Sequence, residues 1–198
     1  VTIPNFVDIE KFRQLENVKR ENRILFVGRL EDEKNPMLLL EALLRLKLPA
    51  TFVGTGTLKK QIIERMQKND IKPDIKLIDF VSNDNLPKFY SSHTILVIPS
   101  KYEGQPKVLL EAMACKCAVI GTNVLGIRSI IKDNNNGLLA ENNLNSLANN
   151  INSLWYDSKK RQSLGINARE YVLNSHSIKK VVEKEIQVIN EFLKRNNN

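Results

Sequence analysis

Apolar runs of five or six residues recur along the chain, each followed by a stretch with helical spacing. That alternation constrains the fold more than any other feature. The runs are Ile24–Gly28, Ala50–Gly54, Ile75–Phe80, Thr94–Pro99 and Ala118–Thr122, with a weaker one at Gly137. Several are apolar throughout, as strands covered on both faces are. Between them, helical patterns span Pro36–Leu46, Leu58–Lys68, Asn85–Ser91 and Val108–Ala114. Repeated βαβ units with short right-handed crossovers predict an α/β, Rossmann-like, doubly wound parallel sheet. Past Gly137 the pattern turns wholly helical, over 144–155, Ser158–Leu173 and Ile178–Lys194, and predicts extra C-terminal packing helices. The opening "VTIPNFVD" reads as a strand running into a turn. With 198 residues the chain has room for one domain and one core. It opens at Val1 instead of Met, which we read as a piece of a longer protein.

Composition narrows the partners. Hydrophobic residues at 42%, charged residues at 26%, and only 8 Gly and 7 Pro exclude disordered and collagen-like classes. Thirty Lys and Arg against 22 Asp and Glu leave a net charge of +8, so an anionic partner is expected: nucleic acid, a membrane surface or a phosphorylated small molecule. The sequence has no RNA-binding aromatic motif and no zinc-ligand spacing, and its basic residues are spread along helices, which argues against nucleic acid. No run is long and apolar enough for a membrane span, and no signal peptide opens the chain. Cys115 and Cys117 are too close to close a loop and fit a reduced, cytoplasmic setting. They would point to opposite faces if extended, as small core residues without a metal. His93 and His176, with no matching ligands nearby, read as surface or capping residues. Asn134 to Asn136 before Gly137 read as a turn.

In such a sheet, ligands bind outside the carboxyl ends of the strands. After the first run come Gly28, Arg29 and Lys34, two cations at one strand end, then Pro36 to open a helix. After the second comes "VGTGTL", where Gly54 and Gly56 begin a dinucleotide fingerprint but Lys59 stands where the third glycine belongs. A nicotinamide-binding domain is therefore one alternative, though this broken fingerprint follows the wrong strand. After the fourth comes "PSKYEGQPKVLLEAMA". Gly104 permits close backbone approach, and a helix starting near Gln105 or Pro106 would aim the free amides of Gln105, Lys107 and Val108 at a phosphate. Glu103 precedes that helix and Glu111 lies inside it among apolar neighbours, where a carboxylate needs hydrogen-bond donors. Spacing alone leaves a second reading open: Glu111 as a solvated helix residue and Glu103 as a loop acid near a helix dipole.

The pair in "EGQPKVLLE", followed by "AMACKCAVIGTN", resembles the E-x7-E signature of retaining GT-B glycosyltransferases of family 4. "ILFVGRLEDEKNP", "TFVGTGTLKKQI" and "NVLGIRSIIKDNNNGLLA" are similar to further elements of that family in the same order, and "VTIPNFVD" to its interdomain segment. The resemblance implies that this chain is the C-terminal, donor-binding half of a two-domain enzyme. A nucleotide-sugar would be the donor, and a glycan or lipid-linked acceptor would bind through the missing N-terminal domain. Residues 1–22 would be the interdomain segment, 23–175 the nucleotide-sugar-binding domain, and 176–198 a C-terminal helix that packs here or crosses to the absent domain. Arg29 and Lys34 would bind the donor diphosphate, Glu103 the transferred sugar, Glu111 the ribose, and Phe80 and Val81 the base. Gly28, Gly54, Gly104, Gln105, Lys107 and Val108 complete the expected donor contacts. No metal and no cofactor are implied. The setting would be cytoplasmic, with a peripheral contact at the inner face of the membrane left open by the charge. The sequence departs from the family at Gln105, Lys116, Ala118 and Arg128-Ser129, which bears on sugar specificity more than on fold.

Overall fold

Six parallel strands, hydrogen-bonded in the order β3-β2-β1-β4-β5-β6, make the sheet of the computed structural model, which describes residues 3–68 and 73–196. They are β1 (Glu21–Val27), β2 (Ala50–Val53), β3 (Ile75–Ile78), β4 (His93–Ile98), β5 (Ala118–Thr122) and β6 (Leu138–Ala140). The helices are α1 (Pro36–Leu46), α2 (Lys59–Gln67), α3 (Leu86–Ser92), α4 (Lys107–Ala114), α5 (Leu125–Arg128), α6 (Leu144–Tyr156), α7 (Ser158–Ser175) and α8 (Ile178–Asn196). Strand order reverses between β1 and β4, whose register pairs Ile24 with Ile95 and Leu25 with Leu96. That reversal opens a crevice beyond their carboxyl ends.

The unbroken apolar runs have a direct cause. Successive side chains of a strand point to opposite faces, and both faces here are covered. Ile24 and Phe26 of β1 and Ile95 and Val97 of β4 join Leu39, Leu40 and Leu43 of α1 and Leu147 and Ile151 of α6 in one core. Leu25 and Leu96 face the other way, onto Tyr90 of α3, Leu109, Leu110 and Met113 of α4, and Ala168 and Val172 of α7. Each fully buried leucine contributes roughly 2 kcal/mol through removal from water.

The lead-in differs from expectation. Residues 3–20 form no strand; Val7 makes one parallel bridge to Ser177, its N–H donating to the His176 carbonyl at 2.9 Å. Pro4 brings no amide, and no sheet strand lies alongside to pair with. Val1 and Thr2 lie outside the described residues. Three smaller corrections apply. β3 stops at Ile78, and Phe80 is 79% exposed. The glycine-bearing segment after β5 holds a single helical turn, α5. His93 and His176 are buried, not on the surface, but both do cap helices, at the ends of α3 and α7. The His93 Nδ1 faces the Phe89 carbonyl at 2.9 Å and can only donate to it, so Nε2 accepts from the Thr51 hydroxyl at 2.9 Å. Cys115 and Cys117 are free, buried thiols; burial pushes both upward, Cys117 to about 12, and keeps them protonated. α8 buries Val181 but leaves Ile178, Val182, Ile186, Ile189 and Phe192 exposed. No helix among the described residues is long and apolar enough to cross a membrane.

Candidate functional site

Three loops meet at the carboxyl ends of β1, β2 and β4. The first two are locked together by glycine. Gly54 has φ +143°, and a side-chain carbon there would stand 2.0 Å from the Gly28 carbonyl oxygen; at Gly56 it would stand 2.4 Å from that of Leu30. The amides of Gly28 and Leu30 donate to Val53 and Thr55. The glycines of "VGTG" therefore let two loops touch, and they fix where the chain goes after Gly28.

From there a short 3-10 turn, Asp32–Lys34, carries Lys34 over the end of β4. Its Nζ donates to Glu103 Oε1 at 2.7 Å, and the Ser100 hydroxyl donates to the same oxygen at 2.8 Å. The Glu103 side chain is only 10% exposed, so both donors meet a carboxylate largely removed from water. Gly28, Lys34, Ser100, Glu103, Lys107 and Val108 line a cavity of about 140 Å³. That is below the roughly 300 Å³ that encloses a whole small ligand. It fits one polar part of a ligand, with the rest lying over the strand ends.

Pro106 precedes α4 and sets its extended entry, so the amides of Lys107 and Val108 open the helix at this cavity. The first amides of a helix have no acceptor within it. An anion at the cavity mouth would meet these amides and the Lys34 ammonium together. Gly104 borders open space, with nothing within 4 Å of where a side chain would begin.

Other expected residues sit elsewhere. Arg29 is on the rim, its side chain 68% exposed and ion-paired with Glu33, which also accepts from the Tyr102 hydroxyl at 3.2 Å. Gln105 turns away from Lys34: its Oε1 accepts the Asn5 amide at 2.5 Å and its carbonyl accepts Asn5 Nδ2 at 2.7 Å, tying the lead-in to this loop. Phe80 and Val81 follow β3 and do not line the Lys34 cavity. Glu111 is buried on the inner side of α4, which removes the solvated reading. Its Oε2 accepts from the Tyr90 hydroxyl at 2.9 Å, and burial holds its carboxyl above the usual range.

Sequence reasoning missed four residues. Ser100 stands directly after β4 and could have been found by the strand-end rule already applied to its neighbours. Gly126 of α5 presses on the loop of Glu103 and Gly104, where a side-chain carbon would lie 1.8 Å from the Gly104 carbonyl oxygen. Tyr90 and Asn5 carry no local signal, because their partners lie 21 and 100 residues away. Among the described residues no three His, Cys, Asp or Glu side chains gather where they could hold a metal ion.

Comparison with known proteins places the chain in a family. The family described as Glycosyl transferases group 1 matches residues 7–171. An N-acetylgalactosamine-N,N'-diacetylbacillosaminyl-diphospho-undecaprenol 4-alpha-N-acetylgalactosaminyltransferase of Campylobacter jejuni is 34% identical over 167 residues, covering 80% of this chain and 45% of that protein. The crystal structure of the C-terminal domain of a glycosyl transferase group 1 family protein of Francisella tularensis superposes with a TM-score of 0.79 at 28% identity, covering 87% of this chain and 99% of that one. TarM of Staphylococcus aureus, crystallised with fondaparinux, alpha-GlcNAc-glycerol and UDP, superposes with a TM-score of 0.84 at 27% identity, over 96% of this chain and 39% of that one. The chain spans about half the length of the curated relatives it matches.

Proposed function

The chain belongs to the glycosyl transferases group 1 family, and we propose that it is the donor-binding half of a retaining GT-B enzyme of family 4. In this reading the whole enzyme moves a hexose-type sugar from a nucleoside diphosphate to a glycan or lipid-linked acceptor in polysaccharide synthesis. Family membership displaces the nicotinamide alternative. The observation that carries the proposal is the group formed by Lys34, Glu103, Ser100 and the start of α4 at the strand-order reversal.

The chemistry follows from charge. When the bond between the sugar and the diphosphate breaks, negative charge grows on the departing oxygen. Lys34 and the amides of Lys107 and Val108 would meet that charge where it develops, with Arg29 swinging in from its exposed pair with Glu33. No metal and no cofactor enter the proposal, since these groups supply the positive charge. Glu103, once Lys34 turns to the diphosphate, has a carboxylate oxygen free for sugar hydroxyls, and open space beside Gly104 leaves room for the ring. Glu111 would accept from the ribose, Gly28 and Gly54 would shape the loops beneath the donor, and Phe80 and Val81 would border the base. The UDP in the Staphylococcus structure and the diphospho-undecaprenol in the Campylobacter enzyme's name support a nucleotide donor and a lipid-linked acceptor. The acceptor site would lie on an N-terminal domain, and the enzyme would work in the cytoplasm, at the inner face of the membrane.

Calorimetric titration of the 198-residue chain with uridine, guanosine and adenosine diphosphates tests this. At least one should bind saturably. Lys34→Ala should weaken it ten- to a hundredfold, the range for losing a charged hydrogen bond worth roughly 1.5–3 kcal/mol. Absence of binding by all three, or an unchanged affinity in Lys34→Ala, would refute the assignment. The 198 residues alone should transfer no sugar, and turnover by them would refute the two-domain reading.

A further inference from the structure

The donor site leaves the +8 charge largely unexplained, because Arg29 and Lys34 are each paired with a glutamate. Cations without such partners gather at the opposite end of the sheet. There, between the lead-in and α7, a cavity of about 340 Å³ is lined by Arg20, Lys116 and Arg161 together with Gln14, Thr94 and Gln162. Its size falls in the range of small-ligand pockets, roughly 300–1,000 Å³. No aspartate or glutamate lines it, and none of the three cations forms an ion pair among the described residues.

Both guanidinium groups are fixed by backbone carbonyls. Arg20 Nη2 donates to Cys115 at 3.1 Å and Lys116 at 2.8 Å; Arg161 Nη1 donates to Leu154 at 2.5 Å and also to Trp155. Neutral carbonyls, not carboxylates, are the hydrogen-bond partners that hold these groups in place. Arg20 Nε, shielded from solvent, has no acceptor among the described residues, an unusual state for a buried donor. Burial presses Arg161 below its ordinary range; the Asp157 carboxylate just before α7 opposes that shift, and the nearby Arg20 charge adds to it, so the two cations repel. Lys116 adds a third observation. Its φ of 56° is the left-handed conformation that favours glycine, and its backbone is lodged against Gly165 of α7, where a side-chain carbon would stand 2.4 Å from the Lys116 carbonyl oxygen. A lysine is held at a costly position with its side chain in the cavity wall.

The geometry points to a second anion site, and we propose that this cavity binds a phosphate group, carried by a soluble phosphate ester or by a lipid headgroup. Pre-positioned guanidinium forks suit phosphate oxygens, and the neutral Gln14, Thr94 and Gln162 can hydrogen-bond the remaining ones. The site is independent of the proposed donor site, at the other end of the strands.

Titration of the isotopically labelled chain with inorganic phosphate, followed by amide chemical shifts, separates the two. Saturable shifts are expected at Lys116, Ser158 and Gln162. Lys116→Asn, which keeps a residue tolerant of left-handed backbone, should weaken that binding tenfold or more and leave shifts at Lys107 and Val108 unchanged. Arg161→Gln should do the same, with its melting curve confirming the fold. Shifts confined to Lys107 and Val108, or an affinity unchanged in both variants, would overturn the proposal. Given the expected shifts, sedimentation with phosphatidylcholine vesicles only when phosphatidic acid is present, competed by inorganic phosphate, assigns the headgroup. No sedimentation assigns a soluble ester.

Discussion

Gly126 shows how far a single residue can act on a site it does not line. Its missing side chain lets α5 rest on the carbonyls of Glu103 and Gly104, which would meet a methyl carbon at 2.2 and 1.8 Å. The contacts are backbone, so no side chain can swing aside, and the loop carrying Glu103 must move. Gly126→Ala should therefore cost roughly 1–3 kcal/mol, the usual range for overpacking. It should also weaken nucleoside diphosphate binding, whereas Gly104→Ala faces open space and should cost little stability. Urea denaturation and calorimetry of the two variants check this; parent-like stability in Gly126→Ala would contradict the packing account. The requirement was invisible in "NVLGIRS" because it comes from a chain segment more than twenty residues earlier. Glu111 is the opposite case. Its apolar neighbours announced a carboxylate in need of donors, and only the identity of one of them, Tyr90, had to come from the structure.

At the scale of elements, α1 was legible to the residue, from Pro36 at its first position to Leu46. Its end rests on Lys47, whose φ of 58° is left-handed and whose amide, like that of Leu48, returns to the Leu43 carbonyl. Leu48 then turns inward and is buried. Lys47 is exposed and gains nothing evident from its side chain, so Lys47→Gly should relieve the backbone and raise stability by roughly 0.5–1 kcal/mol. A urea midpoint that falls instead would show that the lysine itself holds the turn. The strands were legible because two covered faces leave continuous apolar runs; their ends were overrun by counting Gly28, Gly54 and Phe80, which lie past the last sheet residue, and the start of β1 was missed because Glu21, Asn22 and Arg23 are polar. α5 was missed because four residues are too few to show a helical period. The lead-in was misread as a strand because an apolar run alone does not reveal which partner it will meet: Val7 meets Ser177, 170 positions away. A similar distance separates His176 from its partner Asn5, while the His93 ring meets Thr51 of β2, 42 positions away.

Across the whole molecule, the lead-in works as a strap along the helical layer of α3, α4 and α7. Arg20 holds the end of α4, Leu15 donates to Ser91 of α3 at 3.0 Å, Arg169 of α7 donates to the Phe12 carbonyl at 3.2 Å, and Asn5 joins His176 to Gln105. Two buried histidines sit in this architecture. Burial holds both below their ordinary value of 6.5; the Phe89 carbonyl and the Glu21 carboxylate oppose the shift at His93 and the Asn5 carbonyl at His176, while Arg23 and Lys76 for His93, and Lys184 for His176, add to it. Above pH 6.5 both are neutral whether the chain is folded or unfolded, so they add no pH dependence. Below it the unfolded chain takes up protons first, and stability must fall as pH drops toward the lower folded values. Glu111 acts with opposite sign: its carboxyl is held above 4.5, so the folded chain takes up that proton first and recovers some stability as pH falls to 4.5. Urea denaturation at stepped pH should therefore show stability constant above about pH 6.5 for these groups and declining below it. His93→Gln, which keeps an amide donor and acceptor in the Phe89 and Thr51 positions, should flatten the decline even if it lowers the plateau. His176→Gln should flatten it further, and by loosening Asn5 from α7 it should disturb the Gln105 loop next to the donor site. A decline as steep in the double variant as in the parent would place the acid sensitivity in other groups.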